Sequence, residues 1–305
     1  MLNGLCLSLY RNAIQYCTKK YRIMTLEILE GDAIELIKLQ ESNTVDLIVT
    51  SPPYEDMKKY GNDVENLTGE NYVNWLLSLF VGVERVLKPS GSLILNINDK
   101  CNSGYRSTVI FDLISRNNRE TKLKLYDTYI WYKTACMPNS GAKRFRNNFE
   151  YIFHFCKDTK KMKFYMNRVL VPSVSGGKKQ MIGRQYQNAD GIQCNEYREI
   201  TMPLMSRPDN MFFFKTAAAS RDNKIKHPAP FNKELPAYFI NLLTDENDLV
   251  VDPFSGTGST GIACKESNRN YIGYEENPMY AEFSRERLKN KSESLINENE
   301  IRTAA

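Results

Sequence analysis

Two short segments carry residue types at spacings that suit chemistry. The first is DPFSGTGSTG at 252–261, where Gly256, Gly258 and Gly261 fall in a G-x-G-x-x-G pattern and Glu275 lies nineteen residues beyond the first of them. Glycines at these offsets let a backbone turn approach a ligand closely, and an acid that far on can accept hydrogen bonds from ribose hydroxyls. The pattern implies a nucleoside-containing cofactor. A nicotinamide dinucleotide fits poorly, because in that fingerprint the first glycine directly follows the strand, whereas here Asp-Pro-Phe-Ser intervenes. Asp252 repels a pyrophosphate and suits a cationic ligand, such as the sulfonium and amino groups of S-adenosylmethionine. A turn that merely packs a strand on a helix is the plainer alternative.

The second segment is TSPPY at 50–54. Two prolines fix the backbone and remove two amide donors, which leaves outward carbonyls and the Ser51 hydroxyl as acceptors. Tyr54 adds a flat face for stacking. Acceptors beside an aromatic platform suit a planar base held by its exocyclic amino group. By itself the segment reads more simply as a Pro-Pro turn with an ordinary tyrosine. The glycine turn shifts the balance toward a base-binding site.

The elements around these segments follow an α/β rhythm. Short apolar runs alternate with helix-period segments, as in a mainly parallel, doubly wound sheet. Strands are expected at 25–29, 45–50, 92–98, 126–132, 151–155, 249–252 and 271–274. Helices are expected at 33–39, 72–87, 233–243 and from the glycine turn to 267, with a polar loop at 55–69. Both motifs then lie at the carboxyl ends of strands, where ligands bind in such sheets. The stretch 157–210 breaks the rhythm and reads as an insertion. The expected division is an N-terminal extension at 1–23, a first part of the sheet domain at 24–156, the insertion at 157–210, a second part at 211–291 and a polar tail at 292–305.

Composition narrows the classes. Hydrophobic residues make up 42% and charged residues 25% of the 305, which excludes general disorder. The longest uncharged apolar run, 75–83, is far below the roughly 20 residues of a membrane-spanning helix, so no membrane partner is expected. Cys6, Cys17, Cys101, Cys136, Cys156, Cys194 and Cys264 show no C-x-x-C spacing, which suggests free thiols in a reducing, intracellular compartment. With only His154 and His227 besides, no metal centre is expected. The net charge of +5 is unevenly spread. Residues 133–184 hold twelve basic and two acidic side chains, 12 − 2 = +10, leaving 5 − 10 = −5 elsewhere. Such a block suggests a polyanion-binding surface, with a solvated lysine-rich face as the equal alternative.

Together these pieces resemble the β-class S-adenosylmethionine-dependent DNA amino-methyltransferases, in which the catalytic motif precedes the cofactor motif and a target-recognition region lies between. The resemblance spans about 24–289. It includes Gly31-Asp32 after the first strand, RVLKPSGSL at 85–93, WYK at 131–133 with Arg144 and Glu150 beyond it, HPAPF at 227–231 and YIGYEENPMY at 271–280. Ser-Pro-Pro-Tyr, in place of Asp-Pro-Pro-Tyr, is similar to the cytosine-N4 branch.

The resemblance implies a Rossmann-like methyltransferase sheet and S-adenosylmethionine as cofactor. Asp252, Phe254, Gly256 and Gly258 are then expected around its methionine end, Glu275 on its ribose and Asp32 near its adenine, with His227 and Phe231 in a covering segment. Ser51, Pro52, Pro53 and Tyr54 are expected to form the target-base pocket. Lys143, Arg144, Arg146, Lys160, Lys161, Lys163, Lys178, Lys179 and Arg184 are expected to meet double-stranded DNA. The activity implied is methyl transfer to the N4 amino group of a flipped-out cytosine, with adenine-N6 as the alternative. Cytosine-C5 chemistry needs a nucleophilic cysteine in a Pro-Cys context, and none occurs. A non-catalytic DNA-binding protein on the same scaffold and a nicotinamide oxidoreductase are the readings from other classes. A companion restriction endonuclease, and the choice between monomer and homodimer, stay open.

Overall fold

The computed structural model describes residues 24–55, 67–102, 104–133, 143, 145–214 and 232–289. By contact the chain divides into two units, one of Met1–Phe164 with Met211–Ala305 and one of Tyr165–Asn210.

The first unit is built on an eight-stranded sheet. In chain order its elements are β1 (Leu26–Glu30), α1 (Ala33–Leu39), β2 (Val45–Thr50), α2 (Gly69–Val86), β3 (Leu87–Ile97), the short pair β4 (Cys101–Asn102) and β5 (Tyr105–Arg106), and α3 (Val109–Glu120). There follow β6 (Lys124–Tyr132) and β7 (Phe149–Cys156). After the second unit the chain returns with β12 (Met211–Phe212), α4 (Glu234–Leu243), β13 (Leu249–Asp252), α5 (Ser259–Glu266), β14 (Asn270–Glu275) and α6 (Pro278–Lys289). Strand order is β1-β14-β13-β2-β3-β7-β6-β12. The pairings are parallel except those of β7 with β3 and with β6. The mainly parallel α/β sheet expected from the alternating pattern is therefore present.

Burial explains which segments became strands. All six residues of β2 are buried, as befits a central strand covered on both faces. Alternate side chains go to opposite faces. Ile48, Leu93, Leu95 and Val251 join the core that receives Tyr72, Leu76, Phe80 and Val83 of α2. Leu47, Val49, Ile94 and Val250 are equally buried but outside that cluster, on the other face. α1 begins where Asp32 Oδ1 accepts a hydrogen bond from Glu35 N, an N-cap. β3 starts earlier than the expected 92, directly after α2. Its pairing with β2 jumps from Leu87 to Ser92, so Lys88, Pro89, Ser90 and Gly91 loop out instead of ending the helix.

His154, in β7, is wholly buried between Ser92 Oγ (2.9 Å from Nε2) and Tyr129 OH (3.3 Å from Nδ1). Burial pushes its imidazole down to about 3, so it stays neutral and structural. Among the described residues no helix is long and apolar enough to cross a membrane.

The second unit contains β8 (Val171–Pro172) paired with β11 (Met205–Ser206) and a hairpin of β9 (Lys179–Gln187) and β10 (Gln193–Thr201), both pairings antiparallel. Residues 157–164, expected within the insertion, group with the sheet unit. Lys157 Nζ donates to Glu84 O (2.9 Å) and Leu87 O at the end of α2, which ties this stretch to the sheet.

Candidate active site

Four neighbouring strands, β1, β14, β13 and β2, point the same way and each ends in a residue of interest. Their carboxyl ends deliver Asp32, Glu275, Asp252 and Ser51 side by side. At a strand spacing of about 4.8 Å, the row is about 14 Å wide. Gly31 N donates to Glu275 O (3.0 Å), which closes β1 onto β14 and leaves Asp32 exposed beside Glu275 and Glu276.

Asp252 is buried, and its carboxylate is engaged on both oxygens. Oδ1 accepts from Thr50 Oγ (2.7 Å) and Phe254 N (3.1 Å), and Oδ2 from Thr260 Oγ (2.7 Å). These bonds tie the end of β2, the glycine turn and the start of α5 to one carboxylate. Burial still dominates and pushes the Asp252 carboxyl up to about 6. Glu275, half-buried, accepts from Gly256 N (2.8 Å) on Oε2 and from Asn277 N (2.9 Å) on Oε1. It too is raised by burial, to about 7. Each of its oxygens keeps acceptor capacity beyond the single backbone bond.

The turn between them is held from behind. Ser284 Oγ donates to Gly256 O (2.7 Å) and Tyr271 OH to Ser255 Oγ (2.9 Å). Gly258 sits at φ 78° as the residue preceding α5, in the left-handed region that favours glycine. Gly261 lets α5 lie against β14, since a Cβ there would stand 2.6 Å from Tyr271 Cε1.

Ser51 and Pro53 are half-buried and Pro52 is buried. Tyr72 OH, from α2, donates to Pro53 O (2.8 Å), so that carbonyl is taken. One turn on, Trp75 lies between Tyr72 (ring centroids 5.8 Å apart) and Phe254 of the glycine turn (5.5 Å). Tyr54 OH donates to Glu150 Oε2 (2.8 Å), and Glu150 is ion-paired with Lys133. Burial and the Glu150 charge hold the Tyr54 phenol well above its usual range, so it remains a donor and its ring is fixed. Glu55, directly after the motif, accepts from Gly69 N (2.8 Å) and Ser107 Oγ (2.6 Å), which ties the motif to the start of α2 and to the residues just before α3.

Glu150→Ala is expected to cost about 2 kcal/mol of stability, because it leaves Lys133 and the Tyr54 hydroxyl without their buried acceptor. Denaturant unfolding should show it, with Glu150→Gln milder because an amide oxygen still accepts from Tyr54.

Sequence reasoning missed the supporting groups Thr50, Glu55, Tyr72, Trp75 and Thr260, and noted Glu150 without its role. A signal existed for two of them: Tyr72 and Trp75 stand at i, i+3 on one helix face.

The basic residues separate. Lys163 is paired with Asp46 (3.5 Å), Asp245 (3.4 Å) and Asp248 at the amino edge of the sheet, opposite Ser51. Its charge is neutralised there, which corrects its expected place on DNA. Lys160 and Lys161 lie on the same loop, Lys161 paired with Asp158 (3.5 Å). Lys143 and Arg146 are exposed just before β7, at the carboxyl edge, while Lys178, Lys179 and Arg184 belong to the second unit. His227, Phe231 and Arg144 lie outside the described residues.

Comparison with known proteins agrees with this fold. A family model described as DNA methylase, of the N6/N4 methyltransferase type, matches residues 45–286. The Type II methyltransferase M.HpaI of Haemophilus parainfluenzae is 29% identical over 267 residues, covering 87% of this chain and 74% of that one. The structure of PvuII DNA methyltransferase, described as cytosine-N4-specific, superposes with a TM-score of 0.67 at 24% identity, over 93% of both chains. The structure of a Thermus thermophilus protein described as a putative DNA modification methylase, complexed with S-adenosyl-L-methionine, superposes with a TM-score of 0.56 at 23% identity, over 86% of this chain and 92% of that one. By the reach of the family match, which takes in both motifs and the strands that carry them, the chain belongs to the N6/N4 family of DNA methylases.

Proposed function

We propose that the protein transfers a methyl group from S-adenosylmethionine to the N4 amino group of cytosine in duplex DNA, at the carboxyl edge of β2 and β13. The observation that carries this reading is the Thr50–Asp252 hydrogen bond. It locks the residue before Ser51 to the first residue of the glycine turn, so the base site and the cofactor site form one rigid edge.

The residues fit the cofactor. Its sulfonium supplies an electrophilic methyl group when bound. Glu275 keeps acceptor capacity for ribose hydroxyls, Phe254 gives an apolar wall braced by Trp75, and the two raised carboxyls provide negative charge for a cation. On the base side, Ser51 Oγ and Pro52 O accept the two hydrogens of an exocyclic amine, drawing its lone pair out of the ring. Tyr54, its hydroxyl tied to Glu150, offers a preset face for the extruded base. Catalysis is then mainly positioning, plus stabilisation of a transiently cationic nitrogen.

Serine in place of aspartate at position 51 supports cytosine, as does the specificity named for the PvuII enzyme. The test is nucleoside analysis of DNA incubated with the protein and labelled cofactor. N4-methylcytosine is expected, and N6-methyladenine would overturn the choice of base.

The raised carboxyls also set a pH dependence. Burial pushes the Glu275 carboxyl up to about 7 and that of Asp252 up to about 6, and only their ionised forms attract a cation. Cofactor affinity should weaken as pH falls through 7, by up to about tenfold per unit for each carboxyl that is protonated. Equilibrium titration between about pH 5.5 and 8.5 checks this, with Glu275→Gln removing the upper part of the dependence.

A further inference from the structure

The hairpin of the second unit carries a surface that methyl transfer does not use. β9 and β10 pair in unbroken antiparallel register, from Gln193 opposite Gln187 to Thr201 opposite Lys179. Directly opposed residues share a face. One face therefore presents Gln185 opposite Asn195 and Gln187 opposite Gln193, with Tyr197 opposite Gly183. The four carboxamide residues are exposed, and none of their side chains has a hydrogen-bond partner among the described residues. The Tyr197 ring lies on Gly183, where a Cβ would come within 2.8 Å of its Cε1. Further along the same face the Lys179–Glu199 ion pair (2.8 Å) neutralises the remaining charges. The opposite face differs in kind, with Ile182, Tyr186, Cys194 and Ile200 beside Gln180, Arg184, Glu196 and Arg198.

The chemistry of the amide face is specific. A carboxamide offers a donor and an acceptor side by side, which matches N6 and N7 of adenine in the major groove, and that groove admits a two-stranded ribbon. Residues i and i+2 of a strand are about 7 Å apart, the rise of two base-pair steps. A neutral face suits base edges, while cations off it, such as Lys178 and Arg184, suit phosphates.

We propose that this face enters the major groove of the DNA target and reads A·T pairs, with Gln185, Gln187, Gln193 and Asn195 as specificity-determining residues. The proposal rests on membership of the DNA methylases and holds whichever base accepts the methyl group.

The test is selection of a randomised duplex library by binding to the full-length protein, for the wild type and for Q185A, Q187A, Q193A, N195A and Q180A. The wild type should select a sequence with at least one A·T pair besides the methylated base pair. At least one of the four face variants should relax a single A·T position by about 5- to 100-fold. Q180A, on the opposite face, should leave the sequence unchanged. Changing the responsible glutamine to glutamate should move that position toward C, whose N4 group donates. A selected sequence without A·T pairs, or four alanine variants that all select the wild-type sequence, would overturn the proposal. So would uniform loss of binding with unaltered unfolding, since that places the amides on the backbone. Because selection reads binding alone, absent methylation with intact selection counts against the active-site reading and leaves the ribbon standing.

Discussion

Replacing Ser51 with alanine should reduce methyl transfer to DNA by about a hundredfold or more while costing only about 1 kcal/mol of stability, for the lost hydrogen bond to Tyr54. The hydroxyl sits half-buried beyond the last residue of β2, and the fold is held at that point by Thr50 and Asp252. Its loss therefore removes an acceptor from the reacting amine without opening the core. Losing one positioned group at a reacting centre typically costs a factor of 10² to 10⁴. Cofactor affinity should stay near the wild-type value, because Asp252, Phe254 and Glu275 are untouched. Rate measurement at saturating DNA, alongside thermal unfolding and cofactor titration, separates these effects. A drop in stability matching the drop in rate would show Ser51 to be structural.

Asp252→Ala should do the opposite, damaging stability and cofactor binding together. The change strands Thr50 Oγ, Thr260 Oγ and Phe254 N, all donors to this carboxylate in a buried setting. Leaving one such donor unpaired costs about 1–3 kcal/mol. Removing a carboxylate that burial already disfavours returns part of that cost. A net loss of about 3 kcal/mol is expected, read as a lower denaturant midpoint. Asp252→Asn keeps an acceptor oxygen and should lose less stability than alanine, yet still bind a cationic cofactor poorly. An asparagine variant with wild-type affinity would leave Asp252 as a purely internal brace.

The parts of the fold legible in the sequence were those with strong boundaries. β2 and β13 are fully or largely buried runs stopped by Pro52 and Pro253, so their limits could be read from residue type alone. α2 announces itself by apolar periodicity, though its first turn, from Gly69, is too polar to be seen. α6 was not legible, because its buried positions include the small residues Ala281 and Ser284 alongside Leu288 and make no apolar stripe. α3 likewise buries only Ile110, Leu113 and Asn117. The β9–β10 hairpin lacks the apolar alternation of a half-buried strand, since nearly every residue in it is exposed.

The site was legible to a similar depth. Residue types at 51–54 and 252–258 implied a base site and a cofactor site, but the bonds that hold them in place are long-range. Thr50 and Asp252 are 202 residues apart, and Tyr54 and Glu150 are 96 apart. Lys163 shows the reverse failure. In sequence it is one more lysine in a basic block, and only the fold brings Asp46, Asp245 and Asp248 around it.

If Ser51 and the glycine turn form one site for methylating cytosine N4 in DNA, the modified bases in DNA from cells expressing the protein will record it when sequenced. N4-methylcytosine is expected at one recurring sequence with the wild type and should be absent with Ser51→Ala. N6-methyladenine without N4-methylcytosine, or a modification pattern unchanged by Ser51→Ala, would contradict it.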